Sequence, residues 1–145
     1  IQDSLVGSEM CIRDSIESIK ANNSKAALYM THAFVEPHKD FEVNQISIIQ
    51  DIYTKVGEEN NVLVIPVGVA FDIAYKELPD IKLHHDDGTH PNLKGTYLAA
   101  CTVFASIYGE SPIGLKYDYY GAINKDDKKL LQEIAHKATF IYLNE

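Results

Sequence analysis

The sequence predicts an α/β fold with a parallel sheet, and two observations carry that reading. Lys25–Phe34 (KAALYMTHAF) and Val62–Pro66 (VLVIP) are short, nearly continuous apolar runs of the kind found in strands buried on both faces. Each is followed by a stretch with apolar residues at helical spacing, and strand–helix–strand–helix order implies a right-handed β-α-β unit. The length of 145 residues fits one domain, and 46% hydrophobic with 23% charged residues is a globular composition. Thirteen Lys and Arg against 21 Asp and Glu give a net charge of -8, which argues against a nucleic-acid partner, because binding a phosphate backbone needs clustered cations. No apolar run reaches the roughly 18–20 residues needed to span a bilayer. The two cysteines, Cys11 and Cys101, make neither a disulfide framework nor a Cys-based zinc site.

In chain order, residues 1–15 (IQDSLVGSEMCIRDS) hold no lasting period of 2 or 3.6. SLVGSEMCIRDS resembles the translated read-through of a sequencing adaptor, so a non-native or disordered segment is expected over 1–15 and a partial domain over 16–145. Ile16–Lys20 closes a helix before the Asn22-Asn23-Ser24 turn. Phe41–Glu59 reads as an amphipathic helix, with Ile46, Ile49, Tyr53 and Val56 on one face. Val67–Leu78 is a helix stopped by Pro79, and Ile81–Leu93 is a polar loop. Lys94–Tyr108 is a buried helix, apolar almost all round, capped by Asn92 and ended by Gly109. A Gly/Tyr-rich connection follows. Asn124 then caps a last helix with Asp126 and Asp127 in its first turn and Leu130, Ile134, Ala138 and Ile141 as its inner stripe. Two visible strands do not complete a sheet, so the chain reads as the C-terminal part of a larger α/β domain.

The chemistry concentrates in His84-His85-Asp86-Asp87-Gly88-Thr89-His90-Pro91. Loops at the carboxyl ends of strands are where open α/β folds place their sites. With Gly88 free to turn the backbone, the Asp87 carboxylate can reach the Nδ1 proton of His90, which fixes the tautomer and leaves Nε2 as a general base. His32, after the strand run, reads either as a structural histidine with its hydrogen bonds satisfied or, if the sheet is parallel, as a residue pointing at the same cleft. Two other readings stay open. His84, His85, Asp86 and His90 offer nitrogen and oxygen donors suited to zinc or manganese, and His85-Asp86 is similar to the His-Asp pair of metal-dependent phosphohydrolases. A non-catalytic binding module is the other, with Tyr117, Tyr119 and Tyr120 as cleft-lining candidates or as cover for the adjacent helices. Cys101 reads as a packed apolar side chain and His136 as a surface residue.

The stretch DGTHPNLKGTYLAACTVFASIYGESPIG resembles the final block of the SGNH (GDSL-type) hydrolases, in which Asp-x-x-His-Pro opens the last helix. The matching positions are Asp87, His90, Pro91, Asn92 and Gly95, and VLVIPVGVAF is similar to the strand and turn before it. The resemblance implies a flavodoxin-like three-layer α/β/α sandwich and a serine esterase without metal or organic cofactor. In it His90 is the base and Asp87 the residue that orients it. Its substrates are small-molecule esters, acylated carbohydrates among them. The family's Gly-Asp-Ser nucleophile block and Gly-x-Asn oxyanion block have no counterpart here. Gln2-Asp3-Ser4 mimics the first, but no strand precedes it to hold Ser4. The chain as written is therefore expected to be inactive.

Overall fold

The computed structural model describes residues 2–144, with side chains from residue 11 onward. Helix α1 spans Gln2–Ala21, strand β1 Ala27–Tyr29, helix α2 Gln45–Asn60, strand β2 Leu63–Ile65, helix α3 Val67–Glu77, helix α4 Leu93–Tyr108 and helix α5 Lys125–Asn144. The two strands pair in parallel, with Ala27 opposite Leu63, Leu28 opposite Val64 and Tyr29 opposite Ile65. The β-α-β order expected from the sequence is therefore present: β1, α2, β2.

Several expectations change. The expected boundary between residues 15 and 16 falls inside α1. Ile12 and Ile16 stand one helical turn apart and meet the core, Ile16 fully buried. The Ser4 side chain lies outside the described ones. Both strands are shorter than their apolar runs. β1 is not buried on both faces: Leu28 points into the core, while Ala27 and Tyr29 face solvent, Tyr29 44% exposed.

The core lies between the sheet and helices α3, α4 and α5, which pack on one another. Phe71, Val67, Ala70 and Ala74 of α3 meet Leu98 of α4 and Leu131, Ala135 and Ala138 of α5 in one buried cluster with Met30 and Leu83. α2 approaches β2 closely enough that a Cβ on Gly57 would stand 2.4 Å from a Val64 methyl.

Helix ends follow the expected chemistry. Asn124 Oδ1 accepts from Asp127 N at 2.9 Å, and Gly109 ends α4 in the left-handed conformation. Two faces differ from expectation. The C-terminal end of α4 emerges from the core, leaving Ile107 and Tyr108 exposed. The buried face of α5 is Leu131, Gln132, Ile134, Ala135, Ala138 and Thr139, while Leu130 and Ile141 sit at its edges. Gln132 turns the face. Its Nε2 donates to Tyr97 Oη at 2.8 Å and to Leu115 O at 2.9 Å, and its Oε1 accepts from Gly114 N at 2.9 Å. A buried amide so fully paired sits inside without penalty.

Candidate functional site

The site is built on the segment that joins α3 to α4. Gly68 N, in the first turn of α3, donates to Met30 O at 3.1 Å, so α3 starts beside the carboxyl end of β1. The chain returns from α3 to the same end. His84 makes an antiparallel bridge with Pro91, His85 N donates to His90 O at 2.8 Å, and Asn92 N donates to Leu83 O at 2.8 Å. Residues 83–92 thus form a tight hairpin-like loop at the strand's carboxyl end, the position open α/β folds favour for ligands.

Gly88 sits at the tip with φ +70°, and a Cβ there would lie 2.1 Å from Val35 O, so only glycine fits. Its own carbonyl accepts from Val35 N at 2.9 Å, which docks the 33–41 segment on the loop. Asn92 closes the other side. Its Oδ1 accepts from Lys94 N and Gly95 N, and its Nδ2 donates to Lys82 O and His84 O. Gly95 is required by proximity, since a Cβ would stand 2.2 Å from Leu83 O.

This frame brings Asp87 and His90 together as the spacing predicts. Asp87 Oδ2 meets His90 Nδ1 at 2.6 Å, while Oδ1 accepts from Thr89 N and His90 N, each at 3.0 Å. The two backbone N–H groups, then the imidazole, hold the Asp87 carboxyl well below the ordinary carboxylate range. A carboxylate on Nδ1 places the neutral imidazole's proton there and leaves Nε2 as the lone-pair nitrogen. Nε2 of His90 has no hydrogen-bond partner among the described residues, and the ring is largely exposed. The arrangement can take a proton from an incoming hydroxyl or water.

His32 and His84 form a second cluster against the first. Tyr75 Oη lies 2.5 Å from His84 Nδ1, and His84 Nε2 lies 2.9 Å from His32 Nδ1. The His32 ring stacks on Phe71 with centroids 4.7 Å apart. Burial lowers the pKa of both imidazoles, His84 to about 4. A smaller influence on His32 is the His90 imidazole, which also opposes protonation there. The sequence reading missed Tyr75, which carries no motif and reaches His84 only through the fold.

The metal reading finds no geometric support. Among the described residues, no three His, Cys, Asp or Glu side chains converge where they could hold one ion. His85 and Asp86 are exposed, and both His84 ring nitrogens are occupied by Tyr75 and His32. Cys101 is buried, its thiol pushed up to about 11 by burial. His136 is exposed. Tyr117, Tyr119 and Tyr120 gather into one aromatic cluster, with ring centroids 5.4 and 6.0 Å from that of Tyr117. Tyr120 stands clear of the helices at 95% exposed, while Tyr117 and Tyr119 are partly covered at 54% and 37% exposed. The Tyr97 hydroxyl donates to Tyr117 O at 2.9 Å, which places the cluster near the start of α4, at the same end as the dyad.

No family model matches the sequence, and no curated protein matches it. A solved structure does: the crystal structure of a DUF4886 family protein from Bacteroides uniformis ATCC 8492, at a TM-score of 0.73 and 22% identity. The match covers 84% of this chain and 50% of that protein, so this chain spans about half the length of its structural neighbour. The likeness is one of fold. It agrees with the α/β architecture described above. No helix among the described residues is long and apolar enough to cross a membrane.

Proposed function

We propose that the chain belongs to an SGNH-type serine ester hydrolase, in which Asp87 and His90 are the orienting carboxylate and the general base. One observation carries the reading: His90 Nδ1 sits 2.6 Å from a carboxylate that two backbone N–H groups hold in place, with Nε2 turned outward. That is the base half of a nucleophile–base–orienter triad. In this reading the flavodoxin-like three-layer sandwich is completed by further strands, and the serine and oxyanion donors come with them. A fold neighbour twice the length of the match is consistent with such a protein. The exposed tyrosine cluster at the same end suits a substrate with a sugar face, such as an acylated carbohydrate, because aromatic rings offer an apolar body with a polar edge.

The test is turnover of short-chain p-nitrophenyl esters by the protein that joins this chain to a strand-borne serine. His90→Ala is expected to lower kcat/KM by several orders of magnitude, and Asp87→Asn by about 10⁴-fold, because the amide would invert the imidazole tautomer. Near-normal turnover in His90→Ala overturns the assignment. The chain alone is expected to leave a fluorophosphonate unreacted, and stoichiometric labelling of Ser4 would contradict that.

A further inference from the structure

We propose that Tyr75 and His84 are positioning residues that fix His32 as a neutral Nε2–H donor beside His90, where it contacts an oxygen of the bound substrate. The substrate contact rests on the hydrolase reading; the fixed tautomer does not.

The polarity of the chain follows from its members. Tyr75 Oη accepts from Leu83 N at 3.3 Å, so its own proton is free to go to His84. A phenol is a stronger donor than a neutral imidazole, and an imidazole nitrogen the stronger acceptor, so Tyr75 donates to His84 Nδ1 across the 2.5 Å contact. His84 is then the Nε2–H tautomer. It donates to His32 Nδ1 at 2.9 Å, and His32 in turn must carry its proton on Nε2. Each step has one donor and one acceptor, and hydrogen bonds in such chains polarise one another. A competing contact, His32 Nδ1 to Ala33 O at 3.3 Å, needs the opposite order, with the proton on Nδ1. The phenol decides between them.

The end of the chain is where a donor has use. His32 Nε2 has no hydrogen-bond partner among the described residues, and the ring is only part-buried. His84 is bridged to Pro91, the neighbour of His90, so His32 stands against the same loop as the base. Burial keeps both imidazoles neutral near pH 7, so the donor at His32 brings no positive charge to oppose protonation of His90. A neutral imidazole N–H placed this way stabilises charge developing on a substrate oxygen.

Nitrogen-detected NMR of the 145-residue chain at pH 7.5 reads each tautomer directly. His32 is expected as the Nε2–H form in the wild type and to shift toward Nδ1–H in Tyr75→Phe, where the donor that sets the direction is gone. A wild-type His32 protonated on Nδ1, or a tautomer unmoved by Tyr75→Phe, overturns the relay. The wild-type spectrum decides even if the variant does not fold. Acetate, the carboxylate product of the simplest ester, tests the contact. Resonance shifts at both His32 Nε2 and His90 Nε2 are expected. If His90 alone responds, the role of His32 falls and the hydrolase reading stands. If His32 alone responds, the oxygen contact stands and the base assignment falls. Silence at both overturns the substrate contact.

Discussion

His84 is buried and has both ring nitrogens in hydrogen bonds, and those facts set its response to acid. Its pKa falls from an ordinary 6.5 to about 4, mainly by burial, then by the neighbouring His32, with Asp87 acting weakly the other way. Between those values the unfolded chain binds more protons than the folded one, so stability is full above pH 6.5 and declines as the pH drops toward 4. His32 shifts in the same direction and adds to the effect. Denaturant midpoints at pH 7.0, 5.5 and 4.5 are expected to fall in that order, and the slope to shrink in His84→Gln. An identical slope in the variant would remove His84 as its source. At this scale the dyad was legible because Asp87 and His90 are three residues apart on one turn. The Tyr75–His84–His32 chain was not, since His84 and His32 are 52 positions apart and meet only after β1 and the loop are packed. The same histidine that reads as a metal ligand in sequence is consumed by a hydrogen bond in space.

Helices were legible where their ends carry the information. Asn92, Gly109 and Asn124 mark termini by local hydrogen bonding or backbone conformation, which does not depend on the rest of the chain. Faces were harder. The stripe of α5 is rotated from the one its apolar residues suggest, because Gln132 is held inward by three hydrogen bonds, and Thr139 can be buried because its hydroxyl is satisfied within the helix by Ala135 O. Hydropathy ranks both outside. The expected consequence is measurable: Gln132→Leu keeps the volume but strands Gly114 N and Leu115 O, costing about 1–3 kcal/mol in a denaturant titration. The loss should also free the tyrosine-bearing connection from α5, seen as faster amide exchange at Gly114. An unchanged midpoint would show that the amide is dispensable there.

For the molecule as a whole, the sequence gives a parallel pair of strands with little indication of how far they are covered. Among the described residues the sheet has two strands, so each presents an unpaired edge, and Tyr29 faces outward. Ile107 and Phe140 add exposed apolar surface at the ends of α4 and α5. The isolated chain is expected to bind a hydrophobic dye and to associate as its concentration rises, measured by fluorescence and sedimentation. A dye-silent monomer would contradict this. Asn92 carries a different consequence. Its one side chain ties the first turn of α4 to the incoming flank of the site loop, so base and helix move as a single lever. α4 lies in the core with α3 and α5 against it. A core substitution that tilts that lever by a fraction of an ångström would misaim His90 from a distance while every hydrogen bond around it stayed intact, and a loss of turnover would announce the defect before any loss of fold.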